Sequence, residues 1–226
     1  MTSKPTAAPF VRLIPVTPFE QNCALFVCPE TKRAAVVDPG GDLERIVAAL
    51  DAAGATLERV LVTHAHVDHA SAVAALARRY GVPIDGPAKQ DQFWIDLLPT
   101  QAAMYGLGPA ETFAPDRWLV GGDRVTVGAQ ELEVLFCPGH TPGHVCFFHR
   151  PSRQLFVGDV LFAGSIGRTD FPKGDFDTLI RSIQNELLPL GDDVVFHCGH
   201  GPDSTLGHER RTNPFLLAPE HYRGMM

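Results

Sequence analysis

The chain alternates short apolar runs with turn residues, and helical periodicity breaks in at a few places. Val11 to Val16, Cys23 to Cys28 and Arg33 to Val37 are apolar or β-branched runs that predict an N-terminal set of antiparallel strands. After Asp38-Pro39-Gly40-Gly41, apolar residues recur at helical spacing (Leu43, Ile46, Val47, Leu50). A helix is therefore expected over Leu43 to Ala53, with Asp42 as N-cap and Gly54 as its stop. Val60 to Val62 predicts another strand and Ala70 to Tyr80 a helix ended by Gly81. Between Val82 and Gly122 the pattern thins to a short strand near Ile84 and a helix through Phe93 to Leu98, broken by Pro99. Its aromatic and aliphatic side chains are expected to cover a core rather than to wall a substrate entrance.

Strands resume at Arg124 to Val127, Glu131 to Phe136, His144 to His149 and Gln154 to Val157. A helix over Phe176 to Leu188 carries Leu179, Ile180, Ile183 and Leu187 on one face, and a strand follows at Val194 to Phe196. Both halves run from strands to helix, which suits an α/β arrangement of two mixed sheets packed face to face with helices outside. Met1 to Pro9 is polar and proline-containing and is expected to be a flexible tail, leaving residues 10–226 as a single domain.

Composition adds exclusions. With 45% hydrophobic and 20% charged residues the chain is of ordinary globular type. A net charge of -7 and a pI near 5.8 argue against a nucleic-acid partner, because that affinity rests on lysine and arginine. Neither a signal segment nor a spanning helix is expected. The five cysteines, Cys23, Cys28, Cys137, Cys146 and Cys198, form no Cys-x-x-Cys pair and read as reduced, buried thiols of a cytoplasmic protein.

The candidate chemistry is concentrated in Thr63-His64-Ala65-His66-Val67-Asp68-His69, three imidazoles and a carboxylate in seven positions. In extended backbone, residues two apart point the same way, so His64 and His66 can converge on one cation. Asp68 and His69 fall at a helix start, face elsewhere and can serve a second cation. Three later residues sit at strand ends and complete the set. His140 lies in a loop locked by two Pro-Gly pairs and is the expected third ligand of the first metal. Asp159 emerges from the buried run Leu155 to Val157, which is costly for a carboxylate unless paired or bound to metal, and is suited to bridge both cations. His200 would complete the second metal with Asp68 and His69. His144, His149, His197 and His208 are then surplus, with His144 expected nearest the site. Asp38 is read either as a turn former or as an acceptor that ties down the histidine loop.

Thr63 to His69, Gly139-His140-Thr141-Pro142-Gly143-His144, Gly158-Asp159 and Gly199-His200 together resemble the metallo-β-lactamase superfamily over most of the chain. Gly164 to Asp175 and Leu206 to Phe215 are similar to the short bacterial hydroxyacylglutathione hydrolase (glyoxalase II) group within it. The resemblance implies an αββα sandwich and two divalent metal ions, Zn²⁺ first, with iron or mixed iron/zinc as variants. It also implies hydrolysis of a small-molecule thioester such as S-lactoylglutathione by a hydroxide held between the metals. Asp68 and Asp159 would then be the catalytic carboxylates. The longer glyoxalase II enzymes have a C-terminal helical extension that helps hold glutathione, and no such extension is expected after His200 here, so the thiol carrier is open. Arg168 and Lys173 are candidates for binding the carrier's carboxylates, although Arg168 could equally be locked to Asp170 or Asp175. The alternative implied activity is a persulfide dioxygenase with one iron on His64, His140 and Asp159.

Overall fold

The computed structural model describes residues 7–224. The first sheet has the order β1 (Phe10–Val16), β2 (Gln21–Val27), β3 (Arg33–Val37), β4 (Thr56–Leu61), β5 (Ile84–Asp85). Its first three strands are antiparallel, and β3, β4 and β5 are parallel. Helix α1 (Leu43–Ala52) connects β3 to β4, and α2 (Val67–Ala70) and α3 (Val73–Tyr80) connect β4 to β5. Helix α4 (Gln92–Met104) then leads toward the second sheet.

That sheet uses β6 (Arg124–Val127), β7 (Gln130–Phe136), β8 (Val145–His149) and β9 (Gln154–Gly158) as an antiparallel meander. A two-residue hairpin, β10 (Leu161–Phe162) and β11 (Ser165–Ile166), and helix α5 (Phe176–Ser182) follow. Then β12 (Val195–Cys198) joins parallel to β9, with β13 (Ser204–Thr205) antiparallel at the edge. Two short helices, α6 (Leu206–Thr212) and α7 (Pro214–Leu217), come last.

Strand parity sorts the apolar side chains into three layers, because successive Cβ atoms leave opposite faces of a sheet. In β2, Ala24 and Phe26 enter the layer between the sheets, where they meet Phe147 of β8 and Phe156 of β9. Cys23, Leu25 and Val27 face the other way, toward Ile46 and Leu50 of α1 and Leu76 of α3. On the far side, Cys146, Phe148, Leu155 and Val157 pack against Leu179 and Ile180 of α5. The sandwich of two mixed sheets with helices outside is therefore as the sequence predicts. The five cysteines are buried and unpaired. No helix among the described residues is long and apolar enough to cross a membrane.

Several elements differ from expectation for physical reasons. Asp42 adopts φ 46° and gives no side-chain cap to α1; its Oδ2 instead accepts from Thr17 N at 2.9 Å, tying the helix start to the β1–β2 turn. The helix expected over Ala70 to Tyr80 is two helices, interrupted at Ser71 and Ala72, and its first turn begins early enough to contain Asp68 and His69. Pro99 does not end its helix: α4 runs through it to Met104. Trp94, Ile95, Leu98 and Ala102 are buried on one side of α4, and that continuous contact outweighs a proline penalty of about 3 kcal/mol. The helix expected to reach Leu188 stops being α-helical after Ser182 and continues as a π turn over Ile183–Leu187. Residues 1–6 of the expected tail lie outside the described residues. Its end is tied down, since Pro9 is buried and Ala7 N donates to Glu30 Oε1 at 2.9 Å.

Candidate metal centre

The predicted site residues converge on one edge of the sandwich, at the C-terminal ends of β3, β4, β7, β9 and β12. Parallel pairing of β3 with β4 and of β9 with β12 puts those ends side by side. The two sheets are joined at this edge by main-chain bonds: Val145 N to Thr63 O at 2.9 Å and Asn22 N to Gly199 O at 2.7 Å. The Asn22 side-chain amide also donates to Cys198 O at 3.0 Å and Gly201 O at 2.9 Å. Gly199 has no room for a side chain, because a Cβ there would overlap Asp159 Oδ1 and come within 2.6 Å of His69 Cε1.

Two groups of potential ligands form. His64, His66 and His140 offer nitrogens that all lie within 4.8 Å of one another, and a carboxylate oxygen of Asp68 lies equally close to nitrogens of His69 and His200. Asp159 lies between the groups. Its Oδ2 is 3.6 Å from His140 Nε2 and 3.7 Å from His200 Nε2, while its Oδ1 is 3.2 Å from His69 Nε2. Asp68 Oδ2 is 3.1 Å from His200 Nε2. All seven candidates are thus brought together. Asp38, His64 and His69 also approach one another, but on the side of the rings turned away from these two groups.

The hydrogen bonds behind the rings fix which nitrogens point inward. Asp38 accepts from Thr63 N at 2.7 Å, Thr63 Oγ1 at 2.6 Å and His69 Nδ1 at 2.9 Å. The Thr63 hydroxyl, having given its proton to Asp38, accepts from His64 Nδ1 at 3.0 Å. His140 Nδ1 donates to Arg168 O at 2.7 Å. Neutral His64, His69 and His140 therefore keep their lone pairs on Nε2. Asp38 carries both of its predicted roles, since it also turns the chain at φ 52°. His144 sits behind the site as expected, accepting from Asp159 N at 3.1 Å and stacking on His64 at 4.6 Å.

These constraints test whether cations fit. His64 Nε2, His69 Nε2 and Asp159 Oδ1 are buried without any hydrogen-bond partner, and the His66 nitrogen that faces the first group is Nδ1, 2.9 Å from His140 Nε2. Each such atom costs about 1–3 kcal/mol if nothing meets it. His69 Nε2 and Asp159 Oδ1 are two acceptors 3.2 Å apart, an arrangement that requires positive charge between them. A proton is one answer: burial lowers the His69 pKa, yet Asp159, Asp68 and Asp38 together carry it well above the usual histidine range. A divalent cation is the other, and imidazole with carboxylate is a donor set that suits zinc and iron. Burial and the neighbouring imidazoles hold His64 and His66 well below their ordinary pKa, so their nitrogens are free to ligate. Burial would raise Asp159, but His69, His140 and His200 keep it well below the carboxylate range. The donor groups and the superfamily match below are those of a dinuclear divalent-metal site.

One residue that organises the site escaped the sequence reading. Asp91 is fully buried and accepts from Ala65 N at 3.2 Å, Thr141 Oγ1 at 2.8 Å and Gly143 N at 2.6 Å. It thereby straps the loop of His64 and His66 to the loop of His140. Burial pushes its carboxyl up to about 6 against the pull of those three bonds. Its position one residue before α4 reads in sequence as an ordinary helix-start aspartate, and nothing local distinguishes it.

A cavity of about 490 Å³ opens over the cluster. Trp94 walls it as well as covering the core, packing edge-to-face on His66 at 4.5 Å beside Phe171. Arg168 also lines it, but its Nε and Nη2 are both 2.6 Å from the Asp170 carboxylate and its face lies on Phe171 at 4.1 Å. Lys173 is not in the lining; its Nζ sits 3.9 Å over the Phe93 ring. His149 and His197 are away from the cluster, bonded to Ser152 and Asp203.

Comparison with known proteins agrees with this geometry. Residues 16–200 match the family model described as the metallo-beta-lactamase superfamily. Hydroxyacylglutathione hydrolase GloC of Haemophilus influenzae is 45% identical over 207 residues, covering 91% of this chain and 97% of that protein. The crystal structure of BLEG-1 B3 metallo-beta-lactamase superposes with a TM-score of 0.84 at 36% identity, covering 92% of this chain and 99% of the other. TTHA1623 in a di-iron-bound form superposes with a TM-score of 0.83 at 36% identity, covering 91% and 100%.

Proposed function

The chain belongs to the metallo-β-lactamase superfamily, and from that premise we propose that it is a metal-dependent hydrolase of thioesters, of the hydroxyacylglutathione type. The observation that carries the reading is the meeting of two complete donor groups at one carboxylate, Asp159. His64, His66 and His140 would hold one ion, Asp68, His69 and His200 the other, and Asp159 would be shared. The similarity to GloC supports the thioester class, and the di-iron form of TTHA1623 supports a pair of ions. Zinc is the first choice for both, with iron or a mixed pair as variants. Such ions, when bound, supply Lewis-acid polarisation of a carbonyl and a water acidic enough to act near neutral pH.

The chain's own groups do the rest. Asp38, Thr63 and the Arg168 carbonyl hold His69, His64 and His140 by their Nδ1 atoms, so the rings need no reorientation during turnover. The Asp68 carboxylate lines the cavity beside His200, and with one oxygen toward the second ion its other oxygen is suited to accept the proton of the water that adds to the thioester carbon. As the carbon–sulfur bond breaks, that proton passes to the leaving sulfur, giving a carboxylic acid and a thiol. Trp94, Phe171 and Phe162 exclude bulk water from the reacting carbon. No cysteine or serine nucleophile is required.

The alternative, a persulfide dioxygenase on one iron, would use His64, His140 and Asp159 and leave His66, Asp68, His69 and His200 without a role. Metal analysis of protein purified without added metal, with an S-lactoylglutathione assay, tests the choice. Two equivalents of metal and thioester turnover that Asp159→Ala abolishes are expected. A single iron with thiol-dependent oxygen uptake would overturn the reading.

A further inference from the structure

The walls of the cavity bear on which thioester it takes, and the inference rests on the hydrolase reading above. Beyond the candidate ligands, the lining is dominated by rings. Trp94 and Phe171 stand against His66, Phe162 lies 6.2 Å from His200, and at the mouth Phe19 and Tyr105 meet edge-to-face at 5.8 Å. Phe19 and Tyr105 are 43% and 48% exposed, so two apolar surfaces stand in solvent where an incoming molecule would cover them. Apart from histidine, Arg168 is the one cationic side chain among the described lining residues, and Asp170 already neutralises it through two short bonds. An arm bearing carboxylates would find no unpaired guanidinium or ammonium in this lining.

Two neutral polar atoms remain without partners. Trp94 Nε1 and Gln101 Oε1 are buried and make no hydrogen bond, and both residues line the cavity. Trp94 is 3% exposed. They are seven positions apart on α4 and so lie on the same side of the helix, about 10 Å apart along its axis. One is a donor and the other an acceptor. An unmet buried group of either kind is costly, but both atoms are closed to solvent behind the lining, so neither is offered to the molecule that enters and recognition falls to the rings.

We infer that the substrate is a thioester whose cavity-filling arm is uncharged and apolar, of aromatic size. Phe19, Tyr105, Phe162 and Phe171 are then the specificity-determining residues, and the charged ends of a tripeptide thiol contribute little to recognition.

Four matched thioesters test this with the metal-loaded full-length enzyme: the S-lactoyl and S-mandeloyl esters of glutathione and of N-acetylcysteamine, which keeps an amide and has no charge. Exchanging glutathione for N-acetylcysteamine should lower kcat/KM by less than about fivefold, and exchanging lactoyl for mandeloyl should raise it by about tenfold or more on either carrier. Tyr105→Ala removes an exposed ring at the mouth, and should raise KM for the mandeloyl N-acetylcysteamine ester by about five- to tenfold with kcat little changed. A loss greater than about fivefold without glutathione, or equal use of lactoyl and mandeloyl esters, overturns the inference while leaving the hydrolase reading intact. If a metal-loaded enzyme turns over none of the four, the hydrolase reading fails and this inference fails with it.

Discussion

Truncating Asp91 to alanine should loosen the site without touching a candidate ligand. The change leaves two buried main-chain N–H groups, of Ala65 and Gly143, without an acceptor, while the Thr141 hydroxyl can turn elsewhere. At about 1–3 kcal/mol for each N–H the gross loss is about 2–6 kcal/mol. Removing a carboxylate that burial disfavours offsets part of it, so a net loss of about 2–4 kcal/mol is expected near pH 8. The pH dependence has a definite sign. With a folded pKa of about 6 against 3.8 for the free group, Asp91 contributes stability that is fully present below the lower value and lost as pH rises through the upper. The penalty for Asp91→Ala should therefore be larger near pH 5 than near pH 8, by about 1.4 kcal/mol. Urea unfolding of metal-free wild type and variant, followed by tryptophan fluorescence, measures both numbers, and the histidine cluster common to both proteins cancels in the difference. A loss below about 1 kcal/mol, or a penalty that shrinks on acidification, would refute the strap. Chelator competition should also find metal held about tenfold more weakly by the variant.

Other changes probe other parts. Gly199→Ala drives a methyl group into Asp159 Oδ1 and His69 Cε1, so kcat/KM for a thioester should fall about a hundredfold; a value within about threefold of wild type would mean that both groups have room to move. Pro99→Ala, at an exposed position inside α4, should raise unfolding stability by about 1–3 kcal/mol, and an unchanged urea midpoint would contradict the helix described here. Free Zn²⁺ at about a hundred times its Kd should stabilise the metal-free protein by about 2.7 kcal/mol in the same assay, and no shift would mean that the orphaned imidazoles are not ligands.

What was legible in the sequence were features that declare themselves locally. β3 is read to the residue because its apolar run meets a hard stop at Asp38-Pro39-Gly40. The convergence of the candidate ligands was legible because three imidazoles and a carboxylate crowd seven positions, whereas a lone strand-end histidine such as His149, bonded to Ser152, carries no such signal. What escaped depended on partners distant in the chain. Asp42 looks like a cap, but Thr17 takes its carboxylate from 25 residues away. Pro99 looks like a stop, but the packed side of α4 carries the helix past it. Asp91 bonds residues 26, 50 and 52 positions distant, and no window of sequence contains that strap. The apolar run around Trp94 predicts a core residue, which is half of what it does: one ring serves the core and the cavity at once.

The division of the candidate ligands between the two sheets has a consequence for how the molecule holds together. His64, His66, Asp68 and His69 follow β4 of the first sheet, whereas His140, Asp159 and His200 follow strands of the second. Neither half of the chain carries a full donor group for either ion: the first group needs His140 and the second needs His200. Ion occupancy is thereby made conditional on the halves being docked, and docking is in turn favoured by the ion. Were the backbone opened in the loop between α4 and β6, the two fragments would form a pair whose reassociation is tuned by metal concentration, with recovered activity as its reporter.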